Sequence, residues 1–358
     1  MRVEDSAARA ELPEQPRRRC VRPSGPEDAA AIATLMSEAG LRSNAEPRHL
    51  HWKYWQERPE WAGSRSYVLT DGSAVLAHAG VMPATLLADG RRLRLAHLID
   101  WAARRSEVGA GVALLKHVGR LTEALYAIGG SADTRKILPQ IGFRACGEVT
   151  GYVRPLSPLT LWREAGGHSW RIAPRMARSM LWLITASRPS LEGWSARALA
   201  EGEVDRIAPV LPQTRGGMAV LERSEPLFRY MLGCPIVPMA LYAVESAGRM
   251  RGYFMLALAR EQTRLADAWV DSTELTDWSA LVGCAVREAS RRGEAAELVA
   301  WSSDPRLAQA LTNNGFHRRL TLPVMLRGGA QPSLPDLRVQ MLDNDALYLY
   351  EGRDQLWA

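Results

Sequence analysis

The alternation of apolar and polar residues predicts two stretches of chain with similar orders of strands and helices. In the first stretch, a short strand beginning at Cys20 and a helix over 29–39 are followed by strands over 65–70, 74–87 and 91–102, a helix over 112–124, a strand over 125–128 and a helix over 132–140. In the second, strands over 239–245, 251–259 and 263–271 are followed by a helix over 277–291, a strand over 297–301 and a helix from about 305. The tail around 347–350 predicts a final strand.

Three landmarks of the first stretch recur in the second at nearly constant spacing. Asp100 matches Asp271, Gly111 matches Gly283, and Gly142-Phe143 matches Gly315-Phe316, at offsets of 171, 172 and 173 residues. Because the order of elements also matches, we predict a duplicated domain. The expected fold class is α/β (α+β), with two tandem domains that each hold a mixed central sheet flanked by helices. We expect the domains at 20–155 and 196–358, a disordered tail over 1–19 and a partly helical linker over 156–195.

Composition and charge narrow the classes of function. The chain has 358 residues, a net charge of +6 and only three lysines, and its many arginines are scattered, so we expect no nucleic-acid partner. The four cysteines are far apart, without metal-ligand spacing, which indicates reduced thiols, no metal and a cytoplasmic location. The longest apolar run, 180–186, is too short to span a bilayer, and we expect no membrane partner. The oligomeric state is left open.

The informative stretch for chemistry is the turn after the strand over 91–102. Val108-Gly109-Ala110-Gly111-Val112-Ala113 opens a helix there. A helix N-terminus exposes unpaired N–H groups and binds phosphate readily. A P-loop would need Gly-Lys-Ser/Thr after the loop, and a dinucleotide fingerprint would need a third glycine where Leu114 stands. Both of these phosphate-binding classes are therefore excluded.

The same stretch resembles the acyl-CoA motif of the GNAT superfamily of N-acyltransferases. That motif has Gln or Arg, two residues, Gly, one residue, then Gly or Ala after the fourth strand, and Gly111 and Ala113 match it. Asp100 at the strand end, the Trp-rich segment around Trp52 and the closing Gly142-Phe143 resemble a tandem-domain bacterial subgroup. The resemblance covers about residues 20–150 well, and 197–327 only in element order.

The resemblance implies a cofactor, acetyl-CoA or another acyl-CoA, and a set of residues that bind it. The N–H groups of the helix start would hold the pyrophosphate, and the strand edge would pair with the pantetheine arm. The residues concerned are Trp101, Ala102, Ala103, Val108, Gly109, Ala110, Gly111, Val112 and Ala113. Arg104 and Arg105 either contact the CoA phosphates or are simply exposed. Two departures stand out: Val108 replaces the motif's opening Gln/Arg, and Leu138, like Leu311 in the second half, replaces the usual Tyr proton donor.

Candidate catalytic and substrate residues each have two interpretations. Asp100 and His97 are the candidate general bases, although Asp100 could instead cap the loop and His97 could be a core histidine. Trp52, Tyr54 and His78 are the candidate substrate-binding residues, although aromatic residues at this spacing also pack cores. Asp133 is interpreted as a helix-start acid.

From these observations we expect an N-acetyltransferase-type enzyme that moves an acyl group from acyl-CoA to a small-molecule amine by direct attack. The second half lacks a glycine loop and is expected to be degenerate. Two alternatives are an aminoacyl-tRNA-dependent peptidoglycan-type transferase and a catalytically silent CoA-binding or ligand-binding protein.

Overall fold

The computed structural model describes residues 19–41, 46–88, 90–164, 173–187, 189–214, 218–259, 261–293, 295–328 and 336–348. Their strands form one continuous mixed sheet in the order β1-β2-β3-β4-β5-β13-β6-β12-β11-β10-β9-β7, with β8 and β14 attached at its side. The strands are β1 Cys20–Pro23, β2 Ser66–Thr70, β3 Val75–Ala88, β4 Arg91–Ala103, β5 Ala124–Ile128, β6 Arg144–Pro155, β7 Trp194–Ala198, β8 Met218–Leu221, β9 Met239–Ser246, β10 Arg249–Leu258, β11 Gln262–Val270, β12 Glu297–Ser302, β13 His317–Gly328 and β14 Asp336–Arg338.

Helices cover both faces of this sheet. They are α1 Ala29–Glu38, α2 Pro47–Leu50, α3 Ala110–Val118, α4 Ala132–Gln140, α5 Pro158–Glu164, α6 Ala173–Thr185, α7 Glu225–Leu232, α8 Leu275–Arg292 and α9 Pro305–Asn313. A π-helical turn, His51–Trp55, follows α2, and a 3₁₀ segment, Glu201–Val210, follows β7. One large apolar cluster runs through both halves, and a smaller one lies between α3 and the first strands.

The two halves repeat one order of elements, as the sequence predicts. In each half, three antiparallel strands lead into a helix, a strand parallel to the third, and a second helix. Both second helices end in the same way, because the N–H of Phe143 bonds to the carbonyl of Leu138 and the N–H of Phe316 bonds to that of Leu311. The expected fold class, two tandem domains with mixed sheets, is confirmed.

The last strand of each half is exchanged with the other half. β13 from the second half pairs with β5 of the first, and β6 from the first half pairs with β12 of the second. β6 and β13 also pair with each other, antiparallel, at the middle of the sheet. The sheet therefore runs without a break from one half into the other.

Two of the predicted elements differ in the structure. The helix expected over 112–124 begins earlier and ends at Val118, because Gly119 and the turn after it return the chain to β5. The strand expected over 347–350 is a 3₁₀ turn at Asp345–Leu347, and residues 349–350 lie outside the described part. The 1–19 tail also lies outside it, except for Arg19.

Candidate active site

A wedge-shaped cleft opens between β4 and β5. These parallel strands are paired only from Leu95 to His97, so the rest of β4 has no partner strand on this side among the described residues. Two adjoining cavities of about 730 and 280 Å³ fill the gap. Both are bordered by Trp101, by Ser131 and Thr134 at the start of α4, and by Ala39 after α1.

A bulge shapes the β4 wall of the cleft. His78 of β3 stands opposite Ala102 and Gly80 stands opposite Ile99, so β4 has one extra residue at Asp100-Trp101. Asp100 has φ of +47°, a left-handed conformation that is uncommon for a non-glycine residue. Such a bulge turns backbone groups out of the ladder and towards the cleft.

The larger cavity reaches the first turn of α3. Gly109 precedes the helix with φ of +83°, which glycine adopts without a steric cost. The first N–H groups of a helix have no acceptor within the helix, and Gly109, Gly111 and Val112 all border the cavity. The positive end of the helix dipole therefore faces a space large enough for a ligand.

Gly111 packs closely against β4. A Cβ atom there would lie 3.1 Å from Nε1 of Trp101 and 3.2 Å from Cβ of Ala103. The Trp101 indole also donates a 2.9 Å hydrogen bond to the carbonyl oxygen of Gly111. The helix start is thus held tightly against β4.

The predicted cofactor residues come together here. Trp101, Ala102 and Ala103 border the larger cavity with Gly109, Gly111 and Val112, and Arg104 and Arg105 border it too. Ala110 is buried, and its N–H bonds to the carbonyl of Glu107. Val108 is 92% exposed and lies outside the cavity, and Ala113 lies on the outer face of α3.

Asp100 is held in a buried ion pair. Its Oδ2 accepts hydrogen bonds from the Lys53 ammonium and the Tyr54 hydroxyl, and all three side chains are buried. Burial would raise the pKa of Asp100, but Lys53 and the bond from Tyr54 outweigh it and hold that pKa below its usual value. Asp100, a predicted general base, is thus engaged in an ion pair beside the bulge, and its role as a base stays a prediction.

The three predicted substrate-binding residues are parts of the core. Tyr54 is engaged with Asp100. The Nδ1 of His78 donates to the Asp100 carbonyl at 2.9 Å and its Nε2 accepts from Ser66, and burial lowers the pKa of His78 to about 4. Trp52 stacks on Tyr230 with ring centroids 4.6 Å apart. None of the three borders the cleft, so they support its wall and join the halves.

His97 lies at the inner end of the smaller cavity. Its ring stacks on Tyr126 at 4.7 Å, and its buried Nδ1 has no hydrogen-bond partner among the described residues. Burial lowers the pKa of His97 to about 3, so the imidazole is neutral and weakly basic at pH 7. The role of His97 as a general base stays a prediction, and its Nδ1 is placed to exchange a hydrogen bond with a ligand.

Asp345 is a residue of this cavity that the sequence did not indicate. It lies in the 3₁₀ turn near the C-terminal end of the described chain and borders the smaller cavity with His97. Burial, followed by the charge of Asp100, raises the pKa of Asp345 to about 7. A carboxylate with this pKa suits proton transfer near neutral pH. The sequence around Asp345 has no recognisable catalytic motif, and Asp345 approaches β4 only in the folded chain.

The equivalent cleft of the second half is filled by the chain itself. β11 and β12 pair only from Gln262 to Leu265, as β4 and β5 do in the first half. Beyond that point the Gln340 side chain accepts from the N–H of Ala268 and donates to its carbonyl, both at 2.9 Å. Nearby Asp343 joins Arg223 and Asp267 in a buried ion cluster. The strand edge that an extended ligand could use is therefore occupied.

The customary proton donor is absent in the structure as well. Leu138 and Leu311, which stand at its two expected positions, are completely buried. Asp133 borders the larger cavity in the first turn of α4, where the Ser131 hydroxyl caps the helix. In the described part of the chain, no group of three or more His, Cys, Asp or Glu side chains could hold a metal ion. Nor does any helix there have the length and apolar character needed to cross a membrane.

Comparison with known proteins identifies the fold. No protein-family model matches the sequence, and no curated protein sequence matches it. A GCN5-related N-acetyltransferase structure from Anabaena variabilis matches with a TM-score of 0.57 at 13% identity, over 87% of this chain and 73% of that one. Saccharomyces cerevisiae N-myristoyltransferase with bound myristoyl-CoA matches with a TM-score of 0.61 at 13% identity, over 94% and 85%. The chain has the GNAT fold, in an arrangement that matches such structures over most of its length.

Proposed function

We propose that this protein transfers an acyl group from acyl-CoA to the amine of a small molecule by direct attack. The observation that carries the proposal is the open cleft between β4 and β5, which runs from the unpaired edge of β4 to the first turn of α3. In this proposal residues 20–155 hold the cofactor and residues 196–358 form a degenerate domain. The solved neighbours, an N-acetyltransferase and an N-myristoyltransferase, support the reaction class.

The cofactor binds along this cleft. The pyrophosphate lies at the N–H groups of Gly111 and Val112, where the helix dipole favours negative charge. Arg104 and Arg105 border the same cavity and replace the polar contact that Val108 cannot make. The pantetheine arm extends along Trp101–Ala103 and bonds to the free β4 edge in the manner of an added strand.

The reaction takes place in the smaller cavity. The amine nitrogen attacks the thioester carbonyl carbon, the C–S bond breaks, and CoA leaves as the thiolate, which needs no strong acid. A backbone N–H at the β4 bulge stabilises the developing oxyanion. Asp345 accepts the proton that the amine loses, and its raised pKa suits it for this role.

Binding and transfer are tested separately. Calorimetric titration with acetyl-CoA and myristoyl-CoA should give saturable binding, and 3′-dephospho-CoA reports any contact with the 3′-phosphate. Thiol release is then followed with a panel of small amines, and products are identified by mass spectrometry. No binding of any acyl-CoA would refute the proposal. Binding without thiol release for any amine would favour the catalytically silent alternative.

A further inference from the structure

Helix α6 has three large apolar residues on its solvent side. Met180, Leu181 and Ile184 are 46%, 58% and 76% exposed, respectively. On the opposite face Ser179 is buried, and Arg178 and Trp182 are half-buried against the protein. In amphipathic helices of globular proteins the apolar stripe lies towards the core. The outer face of α6 therefore exposes additional apolar area that no described residue covers.

Helix α5 extends this exposed area. Leu159 and Trp162 are 55% and 41% exposed, and α5 packs beside α6. Of the eight large apolar side chains that are exposed in the described residues, five therefore belong to these two helices. We call Leu159, Trp162, Met180, Leu181 and Ile184 the α5–α6 ridge. Such clustering indicates a contact surface, since single exposed apolar residues are normally scattered.

Cationic side chains lie beside helices α5 and α6. Arg163 follows Trp162 on α5, and Arg318 and Arg319 lie exposed at the start of β13. The guanidinium groups of Arg178 and Arg319 lie 5.1 and 6.0 Å from the ring centre of Trp182. Among the described residues Glu297 is an acid that acts on Arg175 and Arg178, and it is buried and accepts from Gln262. The rim is therefore positively charged.

We propose that the α5–α6 ridge docks this protein onto the surface of an anionic phospholipid membrane. Helix α6 lies in the plane of the interface, where its outer face inserts among acyl chains and the arginines meet lipid phosphates. A second copy of the chain fits this surface poorly, because a two-fold contact through the ridge would bring the same arginines of both copies together. The α6 helix has 13 residues, too few to span a bilayer, so the contact is peripheral.

Vesicle sedimentation tests the proposal. Vesicles of phosphatidylglycerol and phosphatidylcholine should pellet the full-length protein, whereas vesicles of pure phosphatidylcholine should pellet much less, and added salt should weaken the binding. A Leu181→Asp/Ile184→Asp double variant should bind at least about tenfold more weakly, because two apolar insertions are lost. Arg318→Ser/Arg319→Ser should reduce binding and its salt dependence. Leu121→Asp is the matched control, because Leu121 is 45% exposed but lies after α3.

Three results would overturn the proposal. The first is failure of the wild-type protein to bind anionic vesicles, or equal binding by the aspartate variant. The second is a concentration-dependent dimer that Leu181→Asp/Ile184→Asp dissociates, which would assign the ridge to a second copy. The third is a fall in melting temperature of that variant far beyond that of Leu121→Asp, which would mean that the ridge is packed inside the fold.

Discussion

The carboxylate of Asp345 and the imidazole of His97 line one cavity, although His97 lies in the first half and Asp345 near the C-terminal end of the described chain. A hydrogen bond from the hydroxyl of Tyr126, on which His97 stacks, to the carbonyl oxygen of Asp343 holds the C-terminal segment in this position. The part of the chain that fills the second cleft thus completes the first.

Asp345→Asn should lower kcat by about 10²–10⁴ while leaving the affinity for acyl-CoA unchanged, because it removes the proposed general base but not the phosphate site. The wild-type rate should rise with pH through about 7, the pKa of Asp345, and then level off. The variant should lose this inflection. Steady-state kinetics from pH 5 to 9 measure both effects, and the exposed Asp205→Asn provides the control.

The raised pKa of Asp345 also predicts how the stability of the protein depends on pH. Because folding raises the pKa of Asp345, its stabilising contribution is present at low pH and is lost as pH rises from about 4 to about 7. Asp345→Asn should therefore increase the melting temperature at pH 8 relative to wild type more than at pH 4. A variant that loses both stability and activity at every pH would contradict the assignment of a base.

Val112→Glu should weaken CoA binding by about tenfold, because it adds a negative charge at the helix N-terminus that faces the pyrophosphate. Val112 is half-buried at the cavity wall, and a side chain there avoids the close packing found at Gly111. The uncharged Val112→Gln is the matched control. Calorimetric titration with acetyl-CoA should give a lower affinity for Val112→Glu than for Val112→Gln. Equal affinities would show that this helix start is not part of the binding site.

Lys53→Met should reduce the free energy of unfolding by about 3–5 kcal/mol, because Asp100 would remain buried without its ion-pair partner. Lys53→Met/Asp100→Asn should recover part of that loss, since the second change removes the unpaired charge. Urea denaturation measures both. The exposed Lys116→Met is the control, and an equally small effect in the two lysine variants would contradict a structural role for the pair.

Gln340→Ala should destabilise the protein by about 1–3 kcal/mol, because it leaves both backbone groups of Ala268 without their partner. The exposed Gln309→Ala should have almost no effect. Thermal denaturation of the two variants measures this difference in stability. If Gln340→Ala gave a second CoA-binding event in calorimetry, the filled cleft would be a latent cofactor site.

The sequence predicted most of the elements and the glycine turn that opens α3, because the hydrophobic period and the glycines at 109–111 are local signals. It missed Asp345 and Gln340, whose roles depend on contacts with residues far away in sequence. Lys53 was not singled out because its partner Asp100 also lies far along the chain. Trp52, Tyr54 and His78 lie in the layer behind the cleft wall, a position that the sequence does not distinguish from the wall itself.

A fragment that ends at residue 155 should not fold by itself. Its strand β5 would lack β13, and its strand β6 would lack both β13 and β12. Circular dichroism and amide exchange should show an unfolded or aggregating chain, whereas the full-length protein should unfold in one cooperative transition. A stable, monomeric fragment would contradict this prediction.

The exchange of β6 and β13 also determines when the protein can become native during its synthesis. Domains usually fold in order as the ribosome releases them. Here the gap beside β5 stays open until residues 317–328 emerge, long after β5 itself has left the ribosome. Until then the nascent first half has an unpaired strand edge, which is prone to pair with other chains.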